Sequence, residues 1–172
     1  MFIVLNGPLG VGKSTLAELL AERIHQCVML DGDHLIAANP PPADAVGYLH
    51  ATIALLVAHH LRSGYRHLVI NHLWRTPAEL DDLRRRLLDA DPDAEVHCLL
   101  LTLPLDENLR RIRRRQGARA VDEHAFELQT VMEEREWLFA RGAGALGEPF
   151  DVSAPAEDLV AALLQRLGLP PR

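Results

Sequence analysis

Lysine is almost missing from this chain: of its 18 basic residues one, Lys13, is a lysine and the rest are arginines. A GC-rich coding sequence accounts for the arginines but not for the exception. A compact ammonium on a flexible stem suits a point contact with phosphate, where a guanidinium is a broad planar fork. Surplus positive charge is missing too. The net charge of −6 and pI near 5.8 exclude a general attraction to nucleic acid, which rests on excess Lys and Arg. The two cysteines, Cys27 and Cys98, fall in apolar runs that read as buried strands, so the sequence predicts reduced core thiols and no disulfide framework. No apolar run approaches the ~18 residues of a membrane span, and Met1 to Asn6 has no basic segment ahead of it. The expectation is a cytoplasmic protein without a membrane or nucleic-acid partner, monomeric or homodimeric.

What is present is enough apolar surface for a core. Hydrophobic residues make up 48% of the 172, spread over many short blocks, and that length fits one domain, residues 1–172. Phe2 to Leu5 reads as a strand, followed by a glycine-rich turn and then Leu16, Leu19, Leu20 and Ile24 at helical spacing. Further strands are predicted at Cys27 to Leu30, Leu68 to Ile70, Val96 to Leu101 and Phe150 to Val152, each followed by a helical pattern. Gly64 is a C-terminal stop for the helix through Val57 and Leu61, and Thr76-Pro77-Ala78-Glu79 is a capping box with proline at the first helical position. Five alternations of strand and helix predict a three-layer α/β/α domain with a five-stranded parallel sheet. In such folds ligands sit beyond the carboxyl ends of the strands, which directs attention to the residues just after each one.

After the first strand stands Gly7-Pro8-Leu9-Gly10-Val11-Gly12-Lys13-Ser14, the Walker A pattern in its required strand-to-helix context. The backbone N–H groups of such a loop turn inward on phosphate oxygens, and the following helix presents its positive end. Gly7, Gly10, Val11, Gly12, Lys13, Ser14 and Thr15 are therefore the predicted ATP-binding residues, with Lys13 on the β and γ oxygens and Ser14 offering a hydroxyl to Mg²⁺. This makes the predicted fold a P-loop NTPase fold. Asp31-Gly32-Asp33-His34 follows the second strand, and in an extended segment residues two apart share a face. One carboxylate then serves the metal while the other accepts a proton from an attacking hydroxyl. Asp31 is assigned to Mg²⁺ and Asp33 to the base, although the reverse order satisfies the same spacing.

The strings GPLGVGKST, LDGDHL and RRIRRRQGAR together resemble the small-molecule kinases of the nucleoside-monophosphate-kinase-like P-loop group, among them gluconate, shikimate and adenylylsulfate kinases and chloramphenicol phosphotransferase. The resemblance implies that Asp31 and Asp33 serve metal and acceptor, and that a lid, about residues 111–125, carries arginines over the phosphates. Arg111 and Arg115 lie four apart on one helix face and Arg119 falls in the following linker, so these three are the candidates for steadying charge on the transferred group. Arg110, Arg113 and Arg114 read as a solvated helix end. The resemblance also puts Ser153, Ala154 and Pro155 near the adenine.

The third strand ends at Asn71-His72 without the acidic residue of a usual Walker B, which shifts metal duty toward Asp31. With Asp33 and His34, the residues His72, Trp74 and Arg75 are the acceptor-side candidates, Trp74 offering a stacking face and Arg75 an anion fork. Tyr48 and His50 are candidates of the same kind. The paired His59 and His60 point apart on a helix and have no metal-ligand spacing. With Lys13 the sole lysine, no guanine-reading Asn-Lys-x-Asp element exists. The function expected is phosphotransfer from ATP to a small-molecule hydroxyl, with a nucleotide kinase and an ATP-binding regulatory module as alternatives.

Overall fold

Apolar residues run without a break through β1 (Phe2–Asn6), and all five of its residues are buried, as in a strand covered on both faces. Ile3 and Leu5 point into one core, against Leu16 and Leu20 of α1 (Lys13–Arg23) and Leu163 of α7 (Ala156–Arg166). Phe2 and Val4 point into the other, against Ile53 of α3 (Ala45–Arg62) and Leu83 and Leu87 of α4 (Pro77–Ala90). The period-two alternation of one strand thus builds both cores. β1 is central in a five-stranded sheet that also contains β2 (Cys27–Asp31), β3 (His67–Asn71), β4 (Val96–Thr102) and β5 (Glu148–Asp151), in the order β2-β3-β1-β4-β5. Every pairing is parallel, giving the three-layer P-loop NTPase architecture. The computed structural model describes residues 1–114, 121–140 and 144–170.

Register decides what meets at the carboxyl edge of the sheet. Asp31 stands opposite Asn71, and Asn71 opposite Leu5, so the ends of β2 and β3 lie beside the loop that leaves β1. α4 starts at the capping box: Thr76 Oγ1 accepts the Glu79 N–H at 3.2 Å, while Glu79 Oε2 accepts the Thr76 N–H at 3.3 Å and the Arg75 N–H at 2.7 Å. α3 stops at Arg62, and Gly64 takes the left-handed conformation just past its end (φ 94°). α5 (Leu105–Arg114) and α6 (Val121–Phe139) bracket residues 115–120, so Arg115 and Arg119 lie outside the described residues.

Three expectations need correcting. β5 begins two residues earlier than Phe150 because Glu148 already pairs with Leu99. Asp33 is not in an extended segment: Asp31 ends β2 and caps the one-turn helix α2 (Gly32–Leu35), its Oδ1 accepting the Asp33 N–H at 3.0 Å. Cys27 and Cys98 are free thiols but only half-buried; burial pushes the Cys27 thiol up to about 11 and raises that of Cys98. Among the described residues no helix is long and apolar enough to cross a membrane.

Candidate active site

The phosphate loop is fixed to the sheet by one polar residue at the end of a strand. Asn6 is buried and makes four hydrogen bonds: its Oδ1 accepts the Gly7 N–H at 2.9 Å and the Trp74 N–H at 3.0 Å, and its Nδ2 donates to the Trp74 and Leu146 carbonyls at 3.0 and 3.1 Å. It ties the start of the loop to the segment after β3. The loop's middle is held from the far side of the chain. Leu9 N–H donates to Glu134 Oε2 at 2.6 Å, and Asn108 Nδ2 donates to the Leu9 carbonyl at 3.0 Å, so α6 and α5 grip one residue of the loop from both sides. Gly10 packs so closely on Ile112 that a Cβ there would sit 2.4 Å from Cγ1.

Lys13 donates from Nζ to the Gly7 and Pro8 carbonyls at 2.7 and 3.2 Å, arching its ammonium over the loop. Next to it, Ser14 Oγ donates to Asp31 Oδ2 at 3.0 Å, and Asn71 Nδ2 donates to the same carboxylate oxygen at 2.9 Å and to Ser14 Oγ at 3.3 Å. Asn71 is buried and its Oδ1 has no hydrogen-bond partner among the described residues. The Ser14 hydroxyl and the Asp31 carboxylate, steadied by the Asn71 amide, form an all-oxygen pair with a single formal negative charge. That donor set fits Mg²⁺, which takes one or two protein ligands and fills the rest of its shell with water and phosphate oxygens.

Asp33 faces His72. His72 Nδ1 lies 2.7 Å from Asp33 Oδ1, and opposite a carboxylate the ring nitrogen is the donor. This bond holds the Asp33 carboxyl below its usual range, helped by the charges of His72, Lys13 and His34 and opposed by burial. Asp33 is thus an anion at neutral pH. Together with Leu9, Lys13, His72, Arg75 and Glu134 it lines a cavity of about 370 Å³. Burial raises the Glu134 carboxyl, and the Leu9 N–H and the charges of Lys13 and Arg75 oppose the rise.

A second cavity, of about 350 Å³, opens on the other side of the loop, between Gly12, Thr15, Arg111, Ala154, Pro155 and Leu159. Arg111 braces its wall, donating from Nη1 to the Val11 carbonyl at 3.0 Å and from Nη2 to the Val152 carbonyl at 2.7 Å. The guanidinium therefore links the phosphate loop to the end of β5. Ser153 turns back on Asp151, whose carboxyl it lowers through two hydrogen bonds.

Of the acceptor-side candidates, His72 and Arg75 line the first cavity with Asp33, while His34 is exposed on α2 outside its wall. Trp74 corrects the expectation of an open stacking face. It is 1% exposed, packed in the core with Leu49 and Ile53, and its Nε1–H donates to His50 Nε2 at 3.1 Å. His50 is itself buried and its Nδ1 lies 2.7 Å from Asp82 Oδ2, so both rings are consumed in bracing α3 and α4. Arg75, which lines the cavity, lays its guanidinium over the ring of a different tryptophan, Trp137, at 5.0 Å. Sequence reasoning did not single out Asn6, Asn108 or Glu134. A polar residue closing an otherwise apolar strand was a signal for Asn6. Asn108 and Glu134 had none, being 99 and 125 residues from the peptide they hold.

Solved structures share this architecture. A tunicamycin resistance protein of Deinococcus radiodurans superposes with a TM-score of 0.70 at 22% identity, over 99% of this chain and 96% of that one. A sugar kinase of Janibacter sp. gives 0.68 at 18% identity, over 98% and 94% of the two chains. A gluconokinase of Sinorhizobium meliloti gives 0.63 at 22% identity, over 96% and 91%. At such identities the likeness is one of fold, and no curated protein matches the sequence. The AAA domain family model matches residues 2–140, most of the chain and all of the phosphate loop. The chain therefore belongs to the AAA domain family of P-loop proteins, built on the fold of the small P-loop kinases.

Proposed function

We propose that this chain transfers the γ-phosphoryl group of ATP to a hydroxyl of a small molecule. The observation that carries the reading is that one phosphate loop walls two cavities, with Gly12 and Thr15 on one side and Leu9 and Lys13 beside Asp33 on the other. A donor and an acceptor lodged there face each other across Lys13. Positioning of this kind supplies most of the catalysis in phosphoryl transfer.

The loop N–H groups and Lys13 cradle the β- and γ-phosphates, and Arg111 holds the loop against the end of β5. Ser14 and Asp31 would hold Mg²⁺, whose charge draws the phosphate oxygens together and offsets their negative charge. Asp33 accepts a hydrogen bond from the acceptor hydroxyl. As the acceptor oxygen bonds to the γ-phosphorus, the bond from that phosphorus to the β,γ-bridging oxygen breaks, the hydroxyl proton passes to Asp33, and ADP leaves with the bridging oxygen. His72, hydrogen-bonded to Asp33, fixes the carboxylate's direction. In the same reading the chain is a single cytoplasmic domain, a monomer or homodimer, with Arg115 and Arg119 joining from the lid. The net charge of −6 supports the absence of a nucleic-acid partner.

Coupled ADP production across a library of hydroxyl compounds and nucleotides, with Lys13→Ala as control, tests this. Stimulation by an acceptor in the wild type and not in the variant is the expected result. A response to nucleoside monophosphates alone would make the protein a nucleotide kinase. ATP binding without any acceptor response would leave a regulatory module.

A further inference from the structure

The cavity beside Asp33 has a floor of one character and a wall of another. Ile36, Val46 and Leu73 give it apolar surface, and its charged groups are Lys13, Asp33, Arg75, Glu79 and Glu134. With phosphate on the loop, the Lys13 ammonium is committed to the phosphate. The Glu79 carboxylate is committed as well, to the Arg75 and Thr76 N–H groups at the start of α4. What an acceptor meets is then Asp33, Glu134 and Arg75, whose guanidinium lies over Trp137. Among the described residues that line the cavity, two carboxylates and a γ-phosphate outweigh one guanidinium.

Glu134 is the unusual member. Its residue is only 8% exposed, Oε2 is fixed by the Leu9 N–H, and Oε1 has no hydrogen-bond partner among the described residues. No Lys, Arg or His among the described residues lies within salt-bridge distance of it, so none of them offsets its charge at contact. A carboxylate oxygen left open at a cavity wall takes a hydrogen-bond donor from whatever fills the cavity, and it repels a second anion.

Resting on the phosphotransferase reading above, we infer that the acceptor is an alcohol without carboxylate or phosphate groups, neutral or cationic, whose O–H or N–H donates to Glu134 Oε1, and that Glu134 is the residue that rejects anionic acceptors. The apolar floor fits a carbon skeleton and the two carboxylates fit its donors. Burial already raises the Glu134 carboxyl, so an anion placed beside it must bring a proton or lose affinity.

The experiment compares acceptors matched in shape and differing in charge: glucitol, glucamine and gluconate as one series, adenosine and AMP as another, together with neutral and amino alcohols of larger skeleton. ADP release gives kcat/KM for each. The expected result is a preference of at least about tenfold for uncharged or cationic members over anionic partners of the same shape, carried by KM. Glu134→Gln keeps a carbonyl for the Leu9 N–H and removes only the charge, so it should narrow that ratio severalfold. A purely structural Glu134 would lower both rates alike and leave the ratio unchanged, which overturns its assigned role. Preference for gluconate or AMP in the wild type overturns the acceptor class while leaving phosphotransfer standing, and needs no variant. If ATP binds and no compound of any charge stimulates ADP release, the phosphotransferase reading itself falls and takes the inference with it.

Discussion

Gly10→Ala should unseat the phosphate loop. Gly10 has φ 74°, a left-handed conformation that an L side chain enters at a cost of about 1–2 kcal/mol. The added Cβ would lie 2.4 Å from Ile112 Cγ1, 2.9 Å from its Cδ1 and 3.2 Å from Asn108 Nδ2. Ile112 is 1% exposed and has nowhere to swing, so α5 must move outward. Forcing extra carbon into packed surroundings costs roughly another 1–3 kcal/mol, for a total of about 2–5 kcal/mol. The Asn108 hydrogen bond to Leu9 stands in the path of that movement, so ATP affinity should fall with stability. Urea unfolding followed by circular dichroism reads the loss as a midpoint lower by about 1–2.5 M, for a slope near 2 kcal/mol per M. Gly64→Ala is the control: Gly64 also has a positive φ, 94°, yet nothing lies within 4 Å of its Cβ position, so only strain applies. If the two variants lose equal stability, the contact between Gly10 and Ile112 is not what holds the loop and the reasoning fails.

Lys13→Ala should cut phosphotransfer by about 10²–10³ with the far-ultraviolet spectrum intact, because it removes a positioned charge from the transferring group; near-normal ADP production would show that the ammonium is not there. His72→Ala should raise the Asp33 pKa, since its hydrogen bond is the main reason the carboxyl is held low. A carboxyl lowered on folding adds stability above its unfolded pKa of about 4, lost as pH falls through the folded value, so the variant should lose stability near neutral pH and show a flatter decline below pH ~4. The acid limb of kcat/KM should move up in pH together with it, and coincident limbs for variant and wild type would refute the pairing. Trp74→Phe should cost about 1–3 kcal/mol in thermal or urea unfolding, since it leaves buried His50 Nε2 without its donor; an unchanged midpoint would place the bracing of α3 elsewhere.

Much of the fold could be read from the chain because its signals are local. β1 is a continuous apolar run, the loop is an eight-residue pattern, and Thr76 and Glu79 cap α4 within four positions. These are decided by neighbours in sequence. The side chains that shape the two cavities are not. Trp74 looked like an acceptor-side ring because it follows a strand by three residues, yet the Asn6 bonds to its N–H and carbonyl turn the chain so that the indole falls inward onto His50. Glu134 sits in a helix whose pattern shows only that Val131 and Leu138 are buried, and its contact with Leu9 exists only once α6 has packed beside the loop. The same distance in sequence gives that contact its consequence. A residue of the phosphate loop held between Asn108 of α5 and Glu134 of α6 ties the loop to both helices that bracket residues 115–120, so any displacement of this helix pair is felt at Leu9. Since Leu9 also lines the acceptor cavity, nucleotide and acceptor share one mechanical element, and each should bind more tightly when the other has already fixed it.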